Sequence, residues 1–186
     1  MTMPPRITRA WVAGQSDLMT AIWPLLRARL CPPVGPTSSS TNSARTTAVP
    51  EGLRWIWHAG NFLQGLEGLG VSGWFQQTLR DDPTGTAVEA AYIALNRLGL
   101  LSHARILALG AGLAMGWAGP AAEKVWRGLM GDAGLQAPPR ARTGPPTEKQ
   151  LAELAALDHQ FRSLEQDWRK HIERFVKTNP RQFVEG

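Results

Sequence analysis

The chain has 186 residues, 43% of them hydrophobic, and a formal net charge of +5, so we expect one core and one domain, with or without a tail. The single cysteine, Cys31, excludes an intramolecular disulfide and makes a reducing cytoplasm the expected location. No run of about 18 apolar residues occurs, so we expect no membrane-spanning helix and no membrane partner.

Residues 1–50 form the first predicted region, a basic and partly disordered tail with a linker rich in Pro, Ser and Thr. It holds five arginines against one acidic residue, so its net charge is +4 and residues 51–186 carry the remaining +1. Nucleic-acid binding depends on a concentrated basic face, so we expect residues 51–186 not to bind nucleic acid. The Arg-rich tail is the segment whose positive charge could bind nucleic acid.

The tail contains one predicted amphipathic helix, in residues 16–30, with Ser16 or Asp17 as its N-cap. Its apolar positions at helical spacing are Leu18, Ile22, Leu25 and Leu26. Pro24 is expected to kink or end this helix. Residues 32–50 contain almost nothing apolar and are predicted to be a linker. Three identities stay open for the tail: an interaction arm, a targeting segment, or upstream sequence included by a misjudged start codon.

The predicted all-helical domain covers residues 51–186. Apolar residues recur at helical intervals, which predicts an all-α fold, a compact multi-helix bundle. The first helix is expected to end at a left-handed glycine, Gly68 or Gly70, before a short helix in "WFQQTLRDD".

Two further helices follow in the predicted domain. Thr86 and Glu89 have the spacing of a capping box, and Gly99 is expected to end the helix that they begin. Another helix is predicted to start at Ser102. Residues 109–120 are rich in glycine but lack the context of a phosphate-binding loop, so close helix packing is expected there.

The last predicted element is a long C-terminal amphipathic helix. Thr147 and Gln150 form a capping box, and Asn179 before Pro180 ends the helix. One apolar stripe comprises Leu151, Leu154, Leu157, Phe161, Leu164, Trp168, Ile172 and Phe175. On the outer face, an acid precedes a base by four residues at Asp158/Arg162, Glu165/Arg169 and Glu173/Lys177.

Candidate chemical groups are few in this sequence. The four histidines, His58, His103, His159 and His171, lack the spacing of a zinc site, and no cysteine cluster accompanies them. The eight tryptophans are expected to lie in the core. We therefore predict no catalytic, cofactor-binding or metal-binding residue, and no enzymatic activity.

Three segments in order carry a resemblance: a glycine turn leading into "SGWFQQ", a capped helix "TAVEAAYIALNRLGLLSHARIL", and "LDHQFRSLEQDWRKHIERFVKTNPRQFV". Over residues 53–184 this order resembles the family of small bacterial helical proteins named for a DNA-mimic member, otherwise described as a domain of unknown function. The matching positions are Gly73, Trp74, Gln76, Leu95, Leu98, Gly99, Leu157, Asp158, Phe161, Asn179, Pro180 and Phe183. Val71 and Ser72 replace the family's Asn-Gly, and Gln77 replaces an aromatic residue.

The resemblance implies an all-α fold and a non-enzymatic binding role, with Gly73 serving the turn and Trp74 in the core. The family's named member presents an acidic, DNA-like surface to a helix-turn-helix repressor, and does so as a dimer. The net charge of +1 in residues 51–186 argues against such mimicry here.

We therefore expect a protein-interaction module of the bacterial cytosol with an unidentified protein partner. That partner is a transcription regulator or the target of an immunity-type protein, and a homodimer stays open. The first alternative is a nucleic-acid-associated protein that uses the Arg-rich tail. The less favoured alternative is an enzyme with a site built from dispersed His, Asp and Glu.

Overall fold

The computed structural model describes residues 6–30, 49–137, 147–164 and 167–184, and all regular structure in these ranges is helical. The prediction of an all-α fold is confirmed. The α-helices are α1 (Arg9–Ala13), α2 (Leu18–Leu30), α3 (Glu51–Asp81), α4 (Thr86–Arg97), α5 (Leu101–Ala114), α6 (Pro120–Asp132), α7 (Glu148–Ser163) and α8 (Trp168–Thr178), with 3-10 turns at Met115–Trp117 and Pro180–Gln182. Within the described ranges, no helix combines the length and the hydropathy needed to cross a membrane.

The chain divides into two packing units, one made of residues 1–57 and 166–186 and the other of residues 58–165. This division differs from the predicted boundary at Glu51, because α1 and α2 contact α8 within the first unit. Residues 32–48 of the predicted linker 32–50, like Cys31, lie outside the described residues.

The N-terminal helices of the first unit are folded elements with a buried side. Ile7, Leu18, Ile22 and Leu26 are fully buried, as the helical spacing predicted for three of them. The predicted N-cap at Asp17 is confirmed, since its Oδ1 accepts a hydrogen bond from the Thr20 amide at 3.0 Å. Pro24 lies inside α2 and does not end it.

Aromatic rings complete the core of the first unit. Trp23 stacks on Trp57 with 5.1 Å between ring centroids. Phe183 meets Trp55 and Phe175 edge to face, at 6.4 and 6.0 Å. These contacts join the start of α3 to α2 and to Phe183, which also contacts α8.

The core of the second unit contains a row of aromatic rings. Trp74 lies between Phe62 and Phe75, at 4.9 and 5.1 Å, and Phe75 meets Trp126 at 5.4 Å. Trp74 is only 7% exposed, so its predicted core position is confirmed. A Cβ added to Gly110 would lie 2.6 Å from Phe75 Cε2, which confirms the close helix packing expected in residues 109–120.

The predicted single C-terminal helix is wrong, because the structure has two helices there. Leu164 is extended at the end of α7, and the Asp167 carboxylate accepts the amides of Arg169 and Lys170 at the start of α8. This carboxylate satisfies helix-start donors and so begins a new helix. The predicted capping box of Thr147 and Gln150 is present.

The predicted cap of α4 is also wrong. Thr86 is the first helical residue, and its hydroxyl donates to Asp82 Oδ2 at 2.9 Å. The same carboxylate oxygen accepts the Ala87 amide at 2.6 Å, so Asp82 satisfies the helix start. Gly85, with φ 76°, provides the left-handed step between them.

Candidate functional site

The glycine-rich stretch in α3 forms a kink at Gly70, where φ is 69° and ψ is 175°. A positive φ favours glycine, so the left-handed exit predicted at Gly68 or Gly70 is confirmed at Gly70. The turn role expected of Gly73 is wrong, because Gly73 is helical and lies three residues after the kink. The glycine-rich stretch therefore leads into the C-terminal arm of α3, residues 71–81.

Asp158 on α7 caps this arm. Its Oδ1 accepts the Val71 amide at 2.6 Å, across 87 residues of sequence. A Cβ added to Gly70 would lie 2.8 Å from Asp158 Oδ2, so the carboxylate sits directly against the kink. Asp158 thus accepts a hydrogen bond from an amide that the kink leaves without a helical partner. The predicted Asp158/Arg162 pair is replaced by this contact.

The other motif residues have structural roles. Phe161 meets the buried ring of His103 edge to face at 5.8 Å. Gly99, with φ 74°, follows the buried Leu98 and ends α4 as predicted. Gln76 is exposed.

Asn179 and Pro180 lie in the first packing unit and follow α8. The Asn179 side-chain amide donates to the Phe175 carbonyl at 3.0 Å, and Pro180 begins a 3-10 turn. The helix end predicted there is confirmed. The motif residues are therefore divided between the two packing units.

A groove of about 420 Å³ lies between α5, α6 and α7 in the second unit. We call it the α5–α7 groove. Its lining residues are Leu109, Gly112, Leu113, Met130, Gln136, Glu153, Ala156, Leu157 and Gln160. This volume falls in the range of sites that bind small molecules or anchoring side chains. The sequence did not predict the groove, because three separate helices build it.

Polar contacts hold α7 at two places along the groove. Near its start, Gln150 Nε2 donates to the Leu113 carbonyl at the end of α5, at 3.3 Å. Further along, Asp158 is bound to the Val71 amide. Glu153, Ala156 and Leu157 lie between these two contacts. These two hydrogen bonds position the α7 wall of the groove.

The floor of the groove is apolar and only partly covered. Leu109 and Leu113 are half-buried, whereas Met130 and Leu157 are buried. A Cβ added to Gly112 would lie 2.8 Å from Met130 Cε, so glycine lets this methionine lie close against α5. An apolar group entering the groove would cover the exposed parts of these side chains.

A second cavity of about 340 Å³ has a more polar lining, from α4, the start of α5 and the end of α6. It is lined by Tyr92, Asn96, Leu101, Ser102, Ala104, Arg105, Asp132 and Ala133. Neither this cavity nor the α5–α7 groove is lined by a histidine. Among the described residues, no group of three or more His, Cys, Asp or Glu side chains is placed to hold a metal ion.

The chain matches no family model, no curated protein and no solved structure. The family resemblance therefore stays a prediction. The second unit contains an apolar groove with a polar rim. This geometry can bind an apolar group presented by another molecule.

Proposed function

We propose that this chain is a non-enzymatic protein-interaction module of the bacterial cytosol. In this proposal, the α5–α7 groove receives an apolar side chain of the protein partner. The observation that carries the proposal is the groove itself, in which Leu109 and Leu113 remain half-exposed beside a helix, α7, that is held by two hydrogen bonds. Anchors of this kind supply much of the binding energy in protein interfaces.

The shape and chemistry of the groove favour a protein over a small substrate. The polar residues in the groove lining, Gln136, Glu153 and Gln160, are all exposed. An apolar centre with a polar rim is the usual anatomy of a protein interface. The resemblance, through the repressor bound by the family's named member, favours a transcription regulator as the partner. The target of an immunity-type protein is the other partner class.

Two neighbouring alanines on α7 provide a matched test of this proposal. Ala155 and Ala156 are both exposed, but only Ala156 lines the groove. Ala156→Trp should fill the groove and weaken a partner's binding by about 30-fold or more, the effect of losing an anchor. Ala155→Trp adds the same side chain outside the groove and should leave binding within about twofold.

The measurement begins with affinity capture from a bacterial lysate on the wild-type chain. The captured protein is then purified, and its dissociation constant is measured for both variants by titration calorimetry. Equal affinity of the Ala156→Trp variant and the wild-type chain would remove the groove from the interface. Failure of every purified candidate to bind the wild-type chain directly would contradict the proposal as a whole.

The alternative of nucleic-acid binding is supported by exposed arginines in the N-terminal segment. Arg6, Arg9 and Arg27 are exposed, although the segment that carries them is folded. Their guanidinium groups can approach phosphates without unfolding α1 or α2. This function would use the first packing unit and would leave the α5–α7 groove unexplained.

A further inference from the structure

We infer, on the basis of the proposed function, that the partner inserts an amphipathic helix into the α5–α7 groove, with a basic residue one helical turn from its apolar anchor. The basic residue pairs with Glu153. The inference rests on the order of side chains along α7 and on the Glu153 carboxylate in the groove lining.

One face of α7 forms a wall of the groove about two turns long. Glu153, Ala156, Leu157 and Gln160 have the spacing i, i+3, i+4 and i+7, which places them on one face of a helix. A carboxylate therefore comes first along this wall, an apolar centre second and a neutral amide last. At 1.5 Å per residue, the wall is about 10 Å long.

Among the described residues that line the groove, Glu153 is the one with a charge. Its ion pair with Lys149 is long, at 3.9 Å, and the Lys149 side chain is 86% exposed. An exposed pair of this length contributes little free energy. The carboxylate is therefore open to a second cation, whose pairing strengthens as the partner excludes water from the rim.

The small side chain of Ala156 decides where the anchor enters. Ala156 is exposed and lines the groove together with the buried Leu157 and the half-buried Leu113. Glu153 lies one turn before Ala156, and side chains one turn apart on a helix are about 5–6 Å apart. A helical partner segment that places a Lys or Arg one turn from a large apolar residue matches this spacing.

The test uses a display library of helical peptides with a fixed leucine and random residues around it. Selections are run on the full chain as wild type, Glu153→Lys, Ala156→Trp and, as a control for charge reversal outside the groove, Glu89→Lys. Glu89 is exposed on α4 and does not line the groove. We expect the wild type and Glu89→Lys to enrich a basic residue one turn from the leucine, and Glu153→Lys to enrich an acidic one.

Affinities of the selected peptides, measured by fluorescence anisotropy, complete the test. Glu153→Lys should weaken the basic peptide by about tenfold, the loss of one hydrogen bond to a charged group, and a peptide with the charge reversed should recover it. Enrichment that depends on Ala156 but shows no charge preference would overturn this inference and leave the proposed function standing. Equal enrichment on the wild type and on Ala156→Trp would overturn the use of the groove itself.

Discussion

At the scale of single residues, Asp158 is the side chain that links distant parts of the second unit. It contacts the kink at Gly70 and accepts the Val71 amide. The sequence marked Asp158 as a motif position but predicted an ion pair with Arg162 four residues later. Helical spacing gave that prediction, whereas the actual partner is a backbone amide 87 residues away, which local spacing does not reveal.

Replacing Asp158 with alanine should destabilise the protein by about 1 kcal/mol, because the first amide of the C-terminal arm of α3 loses its acceptor. Asp81→Ala is the control, since Asp81 is exposed at the end of the same helix. It should change the free energy of unfolding by less than about 0.5 kcal/mol. Urea unfolding monitored by circular dichroism measures both, and equal effects of the two variants would exclude the capping role.

At the scale of helices, the sequence predicted the type of secondary structure better than the ends of the individual helices. The capping box at Thr147 was found because both partners lie within three residues. The cap at Thr86 was assigned wrongly because Asp82, four residues earlier, takes the hydrogen bonds instead. The break before Asp167 was missed because the apolar period continues through it, from Phe161 and Leu164 to Trp168.

Asp82 should make the turn between α3 and α4 sensitive to acid. Partial burial raises the pKa of Asp82, but hydrogen bonds from Thr84, Ala87 and Thr86 outweigh it, and the net pKa lies below the ordinary value of 3.8. A carboxyl group with a lowered pKa stabilises the fold above its unfolded pKa and loses that contribution as pH falls through the folded value. The stability should therefore fall below about pH 4.

The measurement compares urea unfolding of the wild type and Asp82→Asn between neutral pH and pH 2. The substituted amide side chain keeps an oxygen acceptor but carries no charge, so the variant should be less stable than the wild type at neutral pH. The two should converge as Asp82 of the wild type becomes protonated. A constant difference across this range would show that the carboxylate charge has no part in the turn.

At the scale of the whole molecule, the sequence correctly predicted the all-α fold of the described residues but not the two packing units. Charge and composition marked residues 1–50 as a tail, although Ile7, Leu18 and Ile22 are fully buried. Helical spacing identified the apolar face of α2, but one sequence gives no sign that α8 would cover it. The α5–α7 groove could not be predicted either, because its walls come from three helices whose packing one sequence does not show.

The folded N-terminal segment changes how the nucleic-acid alternative is tested. Deleting residues 1–50 would remove buried core residues, so loss of binding by that variant would be ambiguous. The variant with Arg6, Arg9 and Arg27 changed to glutamine keeps the core. If the alternative holds, the wild type binds a DNA duplex in anisotropy assays, and this variant binds more weakly, with a salt slope reduced by up to about 3.

Unchanged duplex binding by the triple variant, or no binding by the wild type at low salt, would exclude the arginines as a nucleic-acid contact. Its thermal unfolding serves as the control. The three side chains are exposed, so the midpoint should move little.

The two faces of α7 give the molecule an internal reporter. Asp158 on one face holds the Val71 amide, while Ala156 and Glu153 on another face line the groove. Deuterium uptake at this single amide follows the opening of the Asp158 contact. A bound partner that stabilises α7 would slow deuterium uptake at the Val71 amide. Binding in the groove could then be measured at a backbone position outside the groove lining.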